Sequence, residues 1–157
     1  MRRRLTRRGF RTAIPDPFNL SRFVEAQAPV YAQAAAELRA GRKTTHWMWF
    51  IFPQIVGLGL SPTARFYAVG SAAEARAYLA DPLLGARLRQ CTDLTLQIDD
   101  RTAHEIFGSP DDLKFRSSMT LFAAVAGRPS PFERALQKYF AGAGDPRTLE
   151  ILLSSKS

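Results

Sequence analysis

The sequence predicts an all-α protein, a single-domain bundle of roughly seven to eight helices, many starting at Asp-Pro or Ser-Pro. Three observations carry that reading. Six of the ten prolines directly follow an Asp or Ser. Two Ser/Thr-x-x-Glu capping boxes mark further helix starts. No convincing alternating strand pattern lies between Asn-Gly or Asp-Gly turns, as hairpins need.

The six pairs are Asp16-Pro17, Ser61-Pro62, Asp81-Pro82, Ser109-Pro110, Ser130-Pro131 and Asp145-Pro146. An Asp or Ser at the N-cap accepts from orphan N–H groups of the first turn. Proline at the first helical position loses no hydrogen bond there. The capping boxes are Ser71–Glu74 and Thr102–Glu105. In chain order, residues 18–40 are helical by composition, Pro29 splits or kinks them, and Gly41 stops them. Trp47–Phe52 is read as a short buried helix. Residues 72–80 and 83–97 follow. In the second, Leu84, Leu88, Cys91, Leu94 and Ile98 share one face, with Arg87, Arg89 and Asp93 away from it. Residues 110–126, 131–140 and 146–153 complete the set. On a helical wheel, 110–126 is apolar nearly all round after two turns, so it belongs at the centre.

Composition bounds the function. The chain has 157 residues, enough for one domain with its own core. One cysteine, Cys91, excludes a disulfide framework within the chain, and with two histidines makes a thiolate zinc site unexpected; no metal and no cofactor is predicted. The net charge is +8. Six arginines (Arg2, Arg3, Arg4, Arg7, Arg8, Arg11) stand in residues 1–13, so the 22 basic residues fall to 16 against 14 acids beyond them. We read 1–13 as a disordered Arg-rich tail and 14–157 as one helical domain. The tail would touch nucleic acid only weakly and without sequence preference. Thr6-Arg7-Arg8-Gly9-Phe10 matches the start of a twin-arginine signal, but no apolar stretch of roughly 7–15 residues follows. No run approaches the roughly 20 apolar residues of a membrane span. A soluble, cytoplasmic protein is expected.

Two stretches can carry chemistry. Gly41–Gln54 joins Arg42 and Lys43 to His46, Trp47, Trp49 and Gln54. A cationic entry beside aromatic rings suits a planar anion, held by Trp stacking and Lys or Arg pairing. His46 is a candidate acid or base. The plainer alternative is that the aromatics are core. In the second stretch, Lys114 and Ser118 lie four apart on the central helix, which makes both candidates for a small polar site. The alternative there is a buried ion pair of Lys114 with Asp111 or Glu105. Asp112 and Arg116, also four apart, read as a surface pair.

These stretches resemble a bacterial family catalogued as a domain of unknown function with the serial number 1810. The resemblance rests on Asp16-Pro17-Phe18-Asn19-Leu20-Ser21-Arg22-Phe23, on Gly41–Gln54, and on Phe107–Phe122 with Asp111, Lys114, Ser117 and Ser118 in place. It spans about Asp16 to Leu153 and implies a mostly helical fold without naming an activity. A calpastatin label carried by some members finds no repeated inhibitory motif here. The order of elements is also similar to helical NAD and ADP-ribose processing proteins, though their tryptophan–Asp pair is unmatched. The functional expectation is a small module binding an anionic planar ligand, such as a nucleotide or ADP-ribose derivative. Its ligand residues would be Arg42, Lys43, Trp47, Trp49, Gln54 and Lys114, with His46, Lys114 and Ser118 as catalytic candidates. The competing expectation is a protein-interaction module without catalytic activity.

Overall fold

Ten helices form among residues 15–154, the part of the chain that the computed structural model describes. They are α1 (Ser21–Gln27), α2 (Tyr31–Arg39), α3 (Met48–Ile51), α4 (Pro62–Phe66), α5 (Ala72–Ala80), α6 (Leu84–Leu96), α7 (Ala103–Phe107), α8 (Asp111–Val125), α9 (Pro131–Phe140) and α10 (Pro146–Ser154). Ten exceeds the seven to eight expected because α4 and α7, each five residues long, add to the segments read as helical. Helices of one turn hold too few residues to show a period. Among the described residues there is no strand, only an isolated parallel bridge between Ile55 and Val69. None of these helices is long and apolar enough to cross a membrane. The tail at 1–13 lies outside the described residues.

The caps explain most boundaries. Ser61, Ser71 and Ser130 each accept from the N–H three residues on. Asp145 accepts from Thr148 N–H in the same way, and Thr102 with Glu105 closes a complete capping box. Three predicted starts differ. Asp16-Pro17 opens a turn, with Asn19 at φ 52°, before α1 begins at Ser21. The Asp16 carboxylate still accepts from Leu20 and Ser21 N–H. Asp81 caps Leu83 and Leu84 from just outside α6. Ser109 makes no cap, and α8 instead carries Asp111 and Asp112 in its first turn, where negative charge suits the helix dipole. The Ser71 box is half formed, because the Glu74 carboxylate turns to Gly70 N–H and Arg22.

α8 is the central helix, as its all-round apolar character predicts. It packs against α9, α5, α7, α10 and α3. Phe115, Met119, Leu121 and Phe122 are fully buried on it. Phe115 stacks on Phe107 (4.6 Å between centroids) and meets Phe52 edge-on (5.0 Å). The predicted α6 face is buried at Leu84, Leu88, Cys91 and Ile98. The predicted Asp112–Arg116 pair does not form. Asp112 faces His104, and the Arg116 guanidinium donates to the carbonyls of Ala143 and Gly144. Those carbonyls follow the left-handed end of α9 at Ala141 and need a donor that Arg116 can reach.

Gly85 lets α5 and α6 approach. A methyl group there would stand 2.1 Å from the Leu79 carbonyl oxygen. Alanine ordinarily favours a helix over glycine by about 1 kcal/mol. Here the clash is with backbone, which cannot swing aside. Gly85→Ala is expected to destabilise the fold by about 2 kcal/mol, read as a lower urea midpoint. An unchanged or raised midpoint would contradict the close approach.

Candidate functional site

The end of α2 sets the path of the Gly41–Gln54 block. Gly41, at φ 85°, donates to Leu38 O while Arg42 N–H donates to Glu37 O. This is the Schellman closure that a left-handed glycine allows. Lys43 N–H then bonds Ile106 O (2.8 Å), pinning the block beside α7. The Glu37 carboxylate, itself buried, receives the Thr44 and Thr45 N–H groups, the Thr45 hydroxyl, Gln33 Nε2 and the Trp47 indole N–H (2.9 Å). Burial pushes its pKa up, but these donors outweigh it and hold the carboxyl far below the usual carboxylate range. Trp47 is thereby drawn fully inside, His46 is turned to solvent, and Trp49 stays half-buried.

Asp111, at the start of α8, meets this block. Its two oxygens are divided between Lys43 Nζ (2.8 Å) and Lys114 Nζ (3.2 Å). One carboxylate therefore serves two ammonium groups, leaving a surplus positive charge. Each lysine also has its own tryptophan: Lys43 stands 5.4 Å from the Trp47 ring and Lys114 4.8 Å from the Trp49 ring. The Lys43 side chain is 7% exposed, whereas that of Lys114 is 24% exposed. Lys114 is the more accessible of the two.

Two clefts flank this bridge. The first, about 430 Å³, is walled by Trp49 and Gln54 from the block and by Leu113, Lys114 and Ser117 from α8. Leu58, Leu60 and Ser61 close one side, and Asp145 and Arg147 the other. Ser117 donates to Gln54 Oε1 (2.6 Å), fixing the amide on its wall. The second cleft, about 410 Å³, is lined by Arg42, Lys43, Arg101, His104 and Glu105.

The predicted site residues therefore divide. Trp49, Gln54 and Lys114 converge on one cleft. Arg42 and Lys43 line the other. His46 lines neither. Trp47 offers no face to a ligand, because its N–H is spent on Glu37 and its ring is core. Ser118 is sealed within the core, where its hydroxyl finds no hydrogen-bond partner among the described residues. Cys91 is buried too, and burial pushes its thiol up to about 11, away from nucleophilic use. Among the described residues, no three His, Cys, Asp or Glu side chains are grouped to hold a metal.

The family described as "Protein of unknown function (DUF1810)" matches residues 17–152. The chain belongs to this family. It is 55% identical to the conserved hypothetical protein Rv1873 from Mycobacterium tuberculosis, whose crystal structure superposes with a TM-score of 0.87. That match covers 88% of this chain and 99% of the other. A search of curated proteins gave no match.

The DUF1810 motif residues sort by task. Asp16 caps α1, Arg22 pairs with buried Glu74, Gly41 ends α2, and Trp47 anchors on Glu37. Architecture alone accounts for those four. Trp49, Gln54 and Lys114 retain surface in a cleft. Several cleft residues were invisible to sequence reasoning, among them Leu60, Asp145 and Arg147. The Asp145-Pro146 start places Arg147 in a first turn, but no local signal brings position 147 beside position 49.

Proposed function

We propose that the protein binds an anionic planar ligand, such as a nucleotide or ADP-ribose derivative, in the Trp49 cleft. The convergence of Trp49, Gln54 and Lys114 from two separate segments on one cavity supports this reading. Trp49 supplies a face for stacking. Lys114 supplies a charge that Asp111 neutralises only in part, since Asp111 is shared with Lys43. Gln54, steadied by Ser117, presents an amide to a ligand edge. Arg147, 60% exposed, adds a second cation at the rim. No catalytic step is assigned: Ser118 is enclosed and His46 stands elsewhere.

One observation favours the protein-interaction reading. Leu60 (76% exposed) and Leu113 (57% exposed) stand at the mouth of the same cleft. A partner's apolar side chain could cover them without any chemistry below.

A thermal-shift panel of nucleotides, NAD, ADP-ribose and sugar phosphates on the full chain separates the two. A ligand at 100 times its Kd adds about 2.7 kcal/mol. That corresponds to a midpoint rise of roughly 5–10 °C at this size. Lys114→Ala is expected to remove the rise while moving the unliganded midpoint by only about 2 °C. A panel without any shift, or a shift that survives Lys114→Ala and Trp49→Ala together, would rule out the Trp49 site and favour the interaction module.

A further inference from the structure

The second cleft holds three side-chain cations, Arg42, Lys43 and Arg101, with His104 beside them. Its lining carries one acid, Glu105, whose carboxylate already accepts from Thr102 N–H in the α7 capping box. The Arg42 and Arg101 side chains make no ion pair or hydrogen bond among the described residues. Unpaired arginines facing one cavity are the arrangement that bidentate phosphate recognition uses. Lys43 closes the floor. Its ammonium has three donors and spends one on Asp111, so further donors remain for a ligand oxygen. Beside them, the space where a Cβ of Gly108 would stand is open, so backbone does not block the approach.

We propose that this cleft is a second anion site, which takes a phosphate group between Arg42, Arg101 and Lys43. It is separate from the Trp49 cleft but linked to it through Asp111. An anion that draws on Lys43 leaves the Asp111 charge to Lys114, and Lys114 then has less to offer in the first cleft. Two anionic ligands should therefore weaken each other, equally in both directions. The phosphate site stands on its own residues. Only the linkage rests on the Trp49 cleft also taking an anion.

Inorganic pyrophosphate, titrated calorimetrically into the full chain at constant ionic strength, tests the site. One saturable equivalent is expected. Arg42→Ala and Arg101→Ala should each weaken it by about tenfold or more, since a hydrogen bond to a charged group is lost. Arg147→Ala and Trp49→Phe should leave it unchanged. Asp111→Asn should tighten it several-fold by removing the competing carboxylate. Should that variant not fold, the Trp49→Phe protein reports on Lys43 instead: its sole tryptophan, Trp47, lies 5.4 Å from Lys43, and its emission should change on saturation. Binding lost in Arg147→Ala but kept in both arginine variants would place the ion in the first cleft and overturn the proposal. So would heats that never saturate. A nucleotide panel that fails while pyrophosphate still binds through Arg42 and Arg101 would overturn the Trp49 reading and the linkage, leaving the phosphate site intact.

Discussion

Arg22→Ala is expected to cost about 4 kcal/mol of stability, close to the loss from breaking a buried ion pair. The Arg22 side chain is 9% exposed and all three guanidinium nitrogens donate. Nε donates to Phe66 O, Nη1 to Phe18 O and Asn19 O, and Nη2 to Ala68 O and Glu74 Oε2. One side chain thus ties the turn before α1 to the loop between α4 and α5. Without it, the buried Glu74 carboxylate keeps only Gly70 N–H among the described residues. A charge so placed has lost its water and gains too little in return. At this size the thermal midpoint should fall by roughly 8–16 °C. Arg22→Lys should recover little, because an ammonium cannot reproduce five bonds in a planar fork. Removing both charges in Arg22→Met with Glu74→Met should restore much of the loss, since the unpaired carboxylate disappears. A single Arg22→Ala loss below about 1 kcal/mol would show the pair to be dispensable.

This pair also marks where sequence reasoning stops. Local chemistry is legible because it acts over three or four residues. Ser61, Ser130, Asp145 and Thr102 cap where their spacing says they should. The Ser71–Glu74 spacing reads as a complete box, yet Glu74 goes to Arg22, 52 residues away. The competing partner is distant, and no local rule sees it. The site divides along the same line. A Lys114–Asp111 contact is visible at a spacing of three, whereas Lys43 on the same carboxylate is not. Trp47 and Trp49 look interchangeable in sequence. Only the Glu37 carboxylate, bonded to the Trp47 indole, decides that one becomes core and the other cleft wall. His46, just before them, is exposed and lines neither cleft.

Glu37 is therefore the residue whose replacement should reach both stability and site. Glu37→Leu is expected to destabilise by about 4–5 kcal/mol, because several donors lose a charged acceptor together. The Trp47 indole N–H is the costliest of them, since it is buried and water cannot replace the carboxylate. Thr44 and Thr45 are exposed, so solvent relieves part of their loss. The same carboxylate gives the fold a pH signature. In the unfolded chain Glu37 titrates near its ordinary 4.5, whereas in the folded chain its pKa is much lower. On acidification the unfolded chain takes up the proton first. The stability that Glu37 contributes is thus fully present above pH 4.5 and is lost progressively as the pH falls below it. Glu37→Gln, which cannot ionise, should lie below the native protein at pH 7 and approach it between pH 4.5 and 3. Parallel profiles for the two in urea unfolding would refute the assignment. The expected convergence would tie acid sensitivity to the contact that sorts the two tryptophans. Loss of the Trp47 anchor then frees residues 44–49, and with them the register of Trp49 against Lys114. Ligand binding in the first cleft should accordingly weaken in Glu37→Gln, although Glu37 borders neither cleft.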